Sequence, residues 1–306
     1  MAGIIVTGNH PRRLLPGVLQ WYGFAYDQHA KEYVNHVTVK NSDKRYEDVV
    51  SMAGMGLAVV KNEAQSITYD DFLQGLTNRF VHVMYGKGFI ISKEAMEDDQ
   101  YAPKLAELGA KHLARSMAQT KETIAANVLN NGFSASYVGA DNVALFSTAH
   151  LLAKGGTFQN KLTVDADLSE TSLEQAIIDL NALVDDAGLK MAVMADKLII
   201  HPNDMFNAER ILKTPLRVTT ADNDINAIKN MGSIPGGAHV NHFLTDSDAW
   251  FLTTNLNDNG IILMERTGVE LDADVDFDTK NSKFSCIERY STGWADPRGA
   301  YGSAGA

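Results

Sequence analysis

Five acids alternate with apolar residues in the stretch ELDADVDFD, where Glu270, Asp272, Asp274, Asp276 and Asp278 flank Leu271, Ala273, Val275 and Phe277. Carboxylates are ligands of hard cations, so calcium is the first chemistry to test. A calcium loop beginning at Asp272 needs glycine at its sixth position and glutamate at its twelfth. Phe277 and Lys283 stand there instead. In an extended strand alternate side chains share a face about 7 Å apart, too far for neighbours to hold one ion without a bend. The spacing therefore predicts a strand with one wet face. Asp272, Asp274 and Asp276 should turn to solvent or to an adjoining subunit, and Leu271, Val275 and Phe277 should pack inward. Two other acid and amide clusters, DNDIN at 222–226 and NLNDNG at 255–260, also lack the terminal glutamate and read as turns.

Other chemistries fail in the same way. His239 and His242 are three apart in a strand-like stretch, so they point to opposite faces, and no helical H-E-x-x-H occurs. Gly54-x-Gly56-x-x-Val59 lacks the third glycine, the following helix and the downstream acid of a dinucleotide site. No G-x-S-x-G elbow or P-loop is present. Cys286, in KFSCIERY, has no histidine near it in sequence and reads as a small buried hydrophobe. The sequence thus offers no catalytic, cofactor-binding or metal-binding set.

Composition narrows the classes further. The 306 residues are 45% hydrophobic, enough for real cores, and the longest apolar runs fall well short of a membrane span. With one cysteine no internal disulfide can form, and the start lacks the basic-then-apolar order of a secretory signal, so folding in the cytoplasm is expected. A net charge of -11 with scattered cations argues against a protein that grips nucleic acid. Arg12 and Arg13 are its only adjacent arginines.

The elements that would position any site follow from periodicity. Residues 1–43 show no sustained period and read as an extended arm with aromatic anchors. EDVVSMAGMGLAVV (47–60) and SITYDDF (66–72) predict a long hairpin with its tip near Lys61, Asn62 and Glu63. Its strands are apolar on both faces, so it must lie on something else. RFVHVMYGKGFIIS (79–92) reads as two short strands bent at Gly86 and Gly88. Helical spacing from Ala102 to Asn130 predicts a strut of about 40 Å, stopped by Asn130, Asn131 and Gly132. A second helix starts at the capping-box pattern Thr171-Ser172-Leu173-Glu174 and closes at Gly188, and a third covers 203–213. Residues 214–238 read as loop. KLIIHP, AHVNHFLT, AWFLTT and GIILMER read as strands, the last two joined by a hairpin turn at Asn259-Gly260, followed by the acidic strand and KFSCIERYS.

An arm, a two-faced hairpin, a strut helix, a mixed domain and a returning acidic strand together resemble the major capsid proteins of tailed bacteriophages, an α+β class known as the Hong Kong 97 fold. LNNGFS (129–134), ALFSTAH (144–150), LSETSLEQAI (168–177), KLIIHP (197–202), DAWFLTT (248–254) and PRGAYGS (297–303) resemble the Mu-type head-subunit branch. The resemblance covers about residues 45–306. It implies an N-terminal arm at 1–43 and an extended loop at 44–76 lying over a neighbouring subunit. It further implies a peripheral domain at 77–165 with spine helix 102–130, an axial domain at 166–267, peripheral return strands at 268–290 and a C-terminal axial segment at 291–306. Pentamers and hexamers of such subunits close an icosahedral shell around double-stranded DNA, in a virion assembled in the host bacterial cytoplasm. Contacts between subunits are then expected at Arg12, Arg13, Lys61, Asn62, Glu63, Asp272, Asp274 and Asp276. Many relatives carry a removable N-terminal scaffolding segment. This sequence begins almost at the arm, so a separate scaffold protein or none is expected, beside a portal and decoration proteins. An encapsulin-type bacterial compartment shares the fold and is the alternative; a calcium-dependent binding protein or hydrolase is the second alternative and lacks every required motif.

Overall fold

The computed structural model describes residues 20, 22–23, 25–26, 29–99, 104–217, 224–256 and 260–306. After a short 3-10 turn at Tyr33–Asn35 come strands β1 (Thr38–Asn41), β2 (Tyr46–Ala53), β3 (Leu73–Val81) and β4 (Val83–Ile91). Helices α1 (Lys93–Glu97) and α2 (Leu105–Asn130) follow, then the short pair β5 (His150–Leu151) and β6 (Thr157–Phe158). Next are α3 (Glu170–Ala182), β7 (Ala195–Ile200), α4 (Met205–Lys213), α5 (Ala227–Met231), β8 (Gly237–Val240) and β9 (Trp250–Thr254). The chain ends with β10 (Ile261–Val275), β11 (Ser282–Trp294) and β12 (Ala300–Ser303).

Two four-stranded sheets organise the described residues, ordered β1-β10-β11-β4 and β12-β9-β7-β8. The strut helix α2 lies on the first. Its Ala110, Leu113, Ala114 and Met117 pack with Ile91, Phe284 and Cys286. Small residues let it come close: a Cβ on Gly109 would stand 2.7 Å from the Phe89 ring. One turn after another further along, Ala125, Val128 and Leu129 join Ile261, Leu263 and Tyr290 of the first sheet to Ile199 and Phe251 of the second. One helix therefore staples both sheets. On the second sheet, Leu173, Ala176 and Leu180 of α3 cover Leu198, Ile200, Trp250, Leu252 and Tyr301.

Several elements differ from the sequence expectation, each for a visible reason. The turn at Asn259-Gly260 does not make a hairpin: β9 is enclosed by β7 and β12, whereas β10 pairs with β11 and β1, so the chain changes sheets there, and Asn259 itself lies outside the described residues. GIILMER and the acidic stretch form one strand, β10, with register shifts between Glu265, Thr267 and Glu270. A division at 267/268 would cut this strand. Gly86 and Gly88 make no bend. β4 runs through both, and a Cβ on Gly88 would meet the Phe284 carbonyl oxygen at 2.6 Å, so close strand approach is what glycine serves there. The capping box belongs to Ser169 and Ser172, two residues before the expected start, and α3 stops at Leu183 rather than Gly188, which instead takes a φ of 86° in the turn after Asp185. Residues 214–238 are not all loop: Asn226 caps α5, closed by left-handed Gly232.

Candidate assembly surface

Buried charges fix α2 in place. Lys121, almost fully enclosed, reaches Glu265 of β10 at 3.4 Å and Glu288 of β11 at 3.5 Å. Burial holds the Glu288 carboxyl above its ordinary range, and Lys121 pulls in the opposite direction. Its neighbour Glu122 accepts the backbone N–H groups of Glu32 and Tyr33, both at 2.9 Å. Desolvation pushes Glu122 up to about 7 despite those bonds. Glu32 in turn accepts from the backbone N–H and the Nδ1 of His242, at 2.8 and 2.7 Å, so the arm is tied to the strut on one side and to the second sheet on the other. Earlier in the arm, the Tyr22 and Tyr26 rings stack 5.9 Å apart over the Cys286 end of the sheet. Burial raises both phenols.

The hairpin β2-β3 and the loop that joins its strands carry a long run of uncovered apolar side chains. Its ladder pairs Tyr46 with Val81 at the root and Ala53 with Leu73 at the far end. The strands stop there, short of the expected 60 and 66. Asp70 takes the Gly56 N–H at 2.8 Å with its carboxylate, which replaces a ladder bond and leaves 54–72 irregular. Every residue from 55 to 74 is exposed, among them Leu57, Val59, Val60, Ile67, Tyr69 and Phe72. The hairpin is pinned at its root: Asn78 donates to the Ala295 carbonyl at 2.8 Å and accepts from the Ala140 N–H at 3.1 Å. Asp70 also meets Lys154 of the body at 3.6 Å. Monomers rarely leave so much contiguous apolar side chain in water unless another surface covers it.

The acidic strand answers differently from a metal site. Asp272 and Asp274 are exposed, and each accepts the next residue's backbone N–H, Ala273 and Val275, at 2.8 Å. Beyond Glu265, β10 pairs with β11 alone among the described strands, so these amides lie on an open edge there and the aspartates cover them. Asp276 is half-buried. It pairs with Lys283 at 2.7 Å and accepts from Asp278 N–H at 3.0 Å; Lys283 first, then the turn amides, hold its carboxyl below the usual range. That turn overrides the expected burial of Phe277, which stands 84% exposed because the strand has ended at Val275; of the other two residues expected inside, Leu271 packs inward beside Ala273, whereas Val275 is only half-buried and stands outside that cluster. Among the described residues no group of three His, Cys, Asp or Glu side chains could hold a metal ion.

A sequence model of the phage capsid protein family matches residues 79–303. The chain belongs to the phage capsid protein family. No curated protein matches it by sequence at a significant level. Among solved structures, the capsid protein is similar to the native GTA particle capsid, at 11% identity and a TM-score of 0.57 over 98% of this chain and 91% of the other. It resembles the procapsid protein of bacteriophage JBD30 at 13% identity and a TM-score of 0.53, over 97% and 76%. The virus-like particle of Pyrococcus furiosus matches at 13% and 0.52, over 94% and 97%. These likenesses establish the Hong Kong 97 fold.

Within this capsid protein the expected contact residues do not form one site. Lys61, Asn62 and Glu63 are exposed in the loop, where Gln65 N–H closes a turn onto the Asn62 carbonyl at 3.2 Å. Asp272, Asp274 and Asp276 stand on a separate edge, and Arg12 and Arg13 lie outside the described residues. Sequence reasoning missed Asp70, Lys121, Glu122 and the buried hub of His150, which meets Asp141 at 2.6 Å and Asn160 at 3.1 Å. No helix is long and apolar enough to cross a membrane among the described residues.

Proposed function

We propose that this capsid protein is the major head subunit of a tailed bacteriophage, assembling as pentamers and hexamers into an icosahedral shell around double-stranded DNA. The observation that carries the proposal is the stretch 55–74, exposed at every residue and rich in large apolar side chains, held out on a hairpin whose root is hydrogen-bonded to the body. Residues 1–43 act as the arm, 44–76 as the loop over a neighbour, 77–165 with 268–290 as the peripheral part, and 166–267 with 291–306 as the axial part. Strand β10 passes between the last two without interruption. A net charge of -11 suits a container that must not adhere to its cargo, so DNA is enclosed without sequence-specific contacts. Assembly takes place in the host bacterial cytoplasm around a portal, with decoration proteins on the finished virion. Electron microscopy of the expressed protein tests this directly. Closed shells of many subunits support it, a persistent monomer at high concentration refutes it, and shells from the native source filled with protein rather than DNA would make it a compartment of the encapsulin type.

A further inference from the structure

The exposed ridge of α2 differs in charge from the rest of the chain. Against 38 acids and 27 lysines and arginines overall, residues 108–130 hold a single acid, Glu122, and that one is buried on backbone N–H groups of the arm. Lys111 and Arg115 stand one turn apart, about 6 Å along the axis. Lys111 pairs with Glu107 at 2.8 Å, whereas Arg115 has no acidic partner among the described residues. The edge strand β4 contains no acid and adds the exposed Lys87, whose Nζ donates to the Ser116 hydroxyl at 2.8 Å. On the opposite flank of the helix, His29 and the exposed Lys31 border a small cavity with Ala118 and Glu122. Acids return at the N-terminal end of α2, where Asp99 accepts the Leu105 N–H at 2.7 Å.

The kind of partner follows from what the ridge lacks. From Gly109 to Asn130 its fully exposed residues are His112, Arg115, Gln119, Thr123 and Asn127, all polar. A contact between subunits draws on apolar and aromatic anchors at its centre, and this face has none, in contrast to the hairpin loop. Single-stranded nucleic acid fits no better, because α2 contains no Phe, Tyr or Trp on which an unpaired base could stack. Cations interleaved with amides such as Gln119 and Asn127 suit a duplex met through its phosphates alone. From Leu108 to Asn127 the ridge runs about 29 Å, close to the 34 Å or so of one duplex turn.

We propose that the ridge of α2 is the face on which the enclosed double-stranded DNA rests, its phosphates met by Lys31, Lys87, Lys111 and Arg115. The proposal rests on the capsid function above and adds which face of the subunit turns inward. Four cations on a subunit of net charge -11 orient the duplex without gripping it. Fluorescence anisotropy tests this with full-length subunits held below the assembly threshold and a labelled duplex of about 30 base pairs of random sequence, at about 20–200 mM salt. Wild type should bind, with log K falling against log salt by about 0.9 for each phosphate met. Lys87→Gln with Arg115→Gln should flatten that slope by about 1.8 and weaken binding roughly a hundredfold at about 50 mM salt. Both side chains are exposed, so the fold should persist, which circular dichroism checks. Lys190→Gln with Lys213→Gln, exposed beside α3 and α4, removes the same charge and should leave the slope nearly unchanged. Equal losses in the two pairs, or a wild type that does not bind the duplex, overturn the assignment of this face, and shells formed by the same protein leave the capsid function standing. Unchanged duplex binding by the Lys87 and Arg115 variant, together with failed assembly, puts carboxylates of a neighbouring subunit on the ridge and overturns the proposal as well. A wild type that never closes into shells overturns the capsid function and the inward assignment with it.

Discussion

Replacing Leu57, Val60 and Tyr69 together by serine separates what the hairpin loop does for the subunit from what it does for the shell. The three side chains are 84%, 86% and 89% exposed. Each change should therefore move the stability of the isolated subunit by less than about 0.5 kcal/mol. If a neighbouring copy covers them, each loses about 1.5–3 kcal/mol of apolar burial, so the three together lose about 4–9 kcal/mol per subunit. Ordering the loop offsets part of the wild-type gain, and halving the figure leaves about 2–4 kcal/mol. At 1.4 kcal/mol per factor of ten, the concentration needed for assembly should rise about 30- to 1,000-fold. Light scattering across a dilution series reads that threshold, and urea unfolding followed by circular dichroism reads the subunit. An unchanged threshold, or a subunit weakened by more than about 2 kcal/mol, would show that the loop serves its own chain and would refute the reasoning.

Four further outcomes are expected. Lys121→Met leaves Glu265 and Glu288 facing each other without their cation and should cost about 3–5 kcal/mol in urea unfolding, most of it regained when Glu288→Gln is added. Leu113→Ala, buried at the strut's packed face, should cost about 2–5 kcal/mol, and Ala110→Pro should cost at least about 3 kcal/mol and prevent particle formation. Because the folded state raises Glu122 from its ordinary 4.5 to about 7, it binds this proton more tightly than the unfolded chain does, so the stability contribution is fully present below pH 4.5 and is lost as pH rises to about 7. Unfolding free energies of wild type minus Glu122→Gln, measured across that window, should fall with pH; a flat difference counts against the assignment. Changing Asp272, Asp274 and Asp276 to asparagine keeps an acceptor for each backbone N–H, so the monomer should stay folded while the dependence of assembly on ionic strength changes, which turbidity against salt concentration measures.

What could be read from the sequence was what local periodicity encodes. The apolar spacing of Leu113, Met117 and Leu129 marked the strut, the run Leu198-Ile199-Ile200 marked a buried strand, and the alternation from Glu270 to Val275 marked a one-sided one. Termination was harder. Asp276 turns the chain by accepting amides of residues beyond it, so a pattern that still alternates at Phe277 no longer describes a strand. Lys121 and Glu122 gave no signal in the sequence: lysine and glutamate at helical positions look like a solvated face, and only the meeting of α2 with β10, β11 and the arm shows their partners. The change of sheet between β9 and β10 is a tertiary fact, invisible beside a good turn dipeptide. The anchoring of the hairpin root, likewise, joins residues more than a hundred positions apart, Asn78 and Ala295.

The break in the hairpin ladder at Gly56 and Asp70 bears on a hazard every free subunit faces. Had β2 and β3 continued to the tip, the loop would present two flat apolar edges, a template on which unrelated copies stack into fibrils. A carboxylate placed where a backbone carbonyl would pair, followed by a second acid at Asp71, denies incoming strands both register and charge neutrality. The surface that must be covered to build a particle is thus kept from being covered indiscriminately.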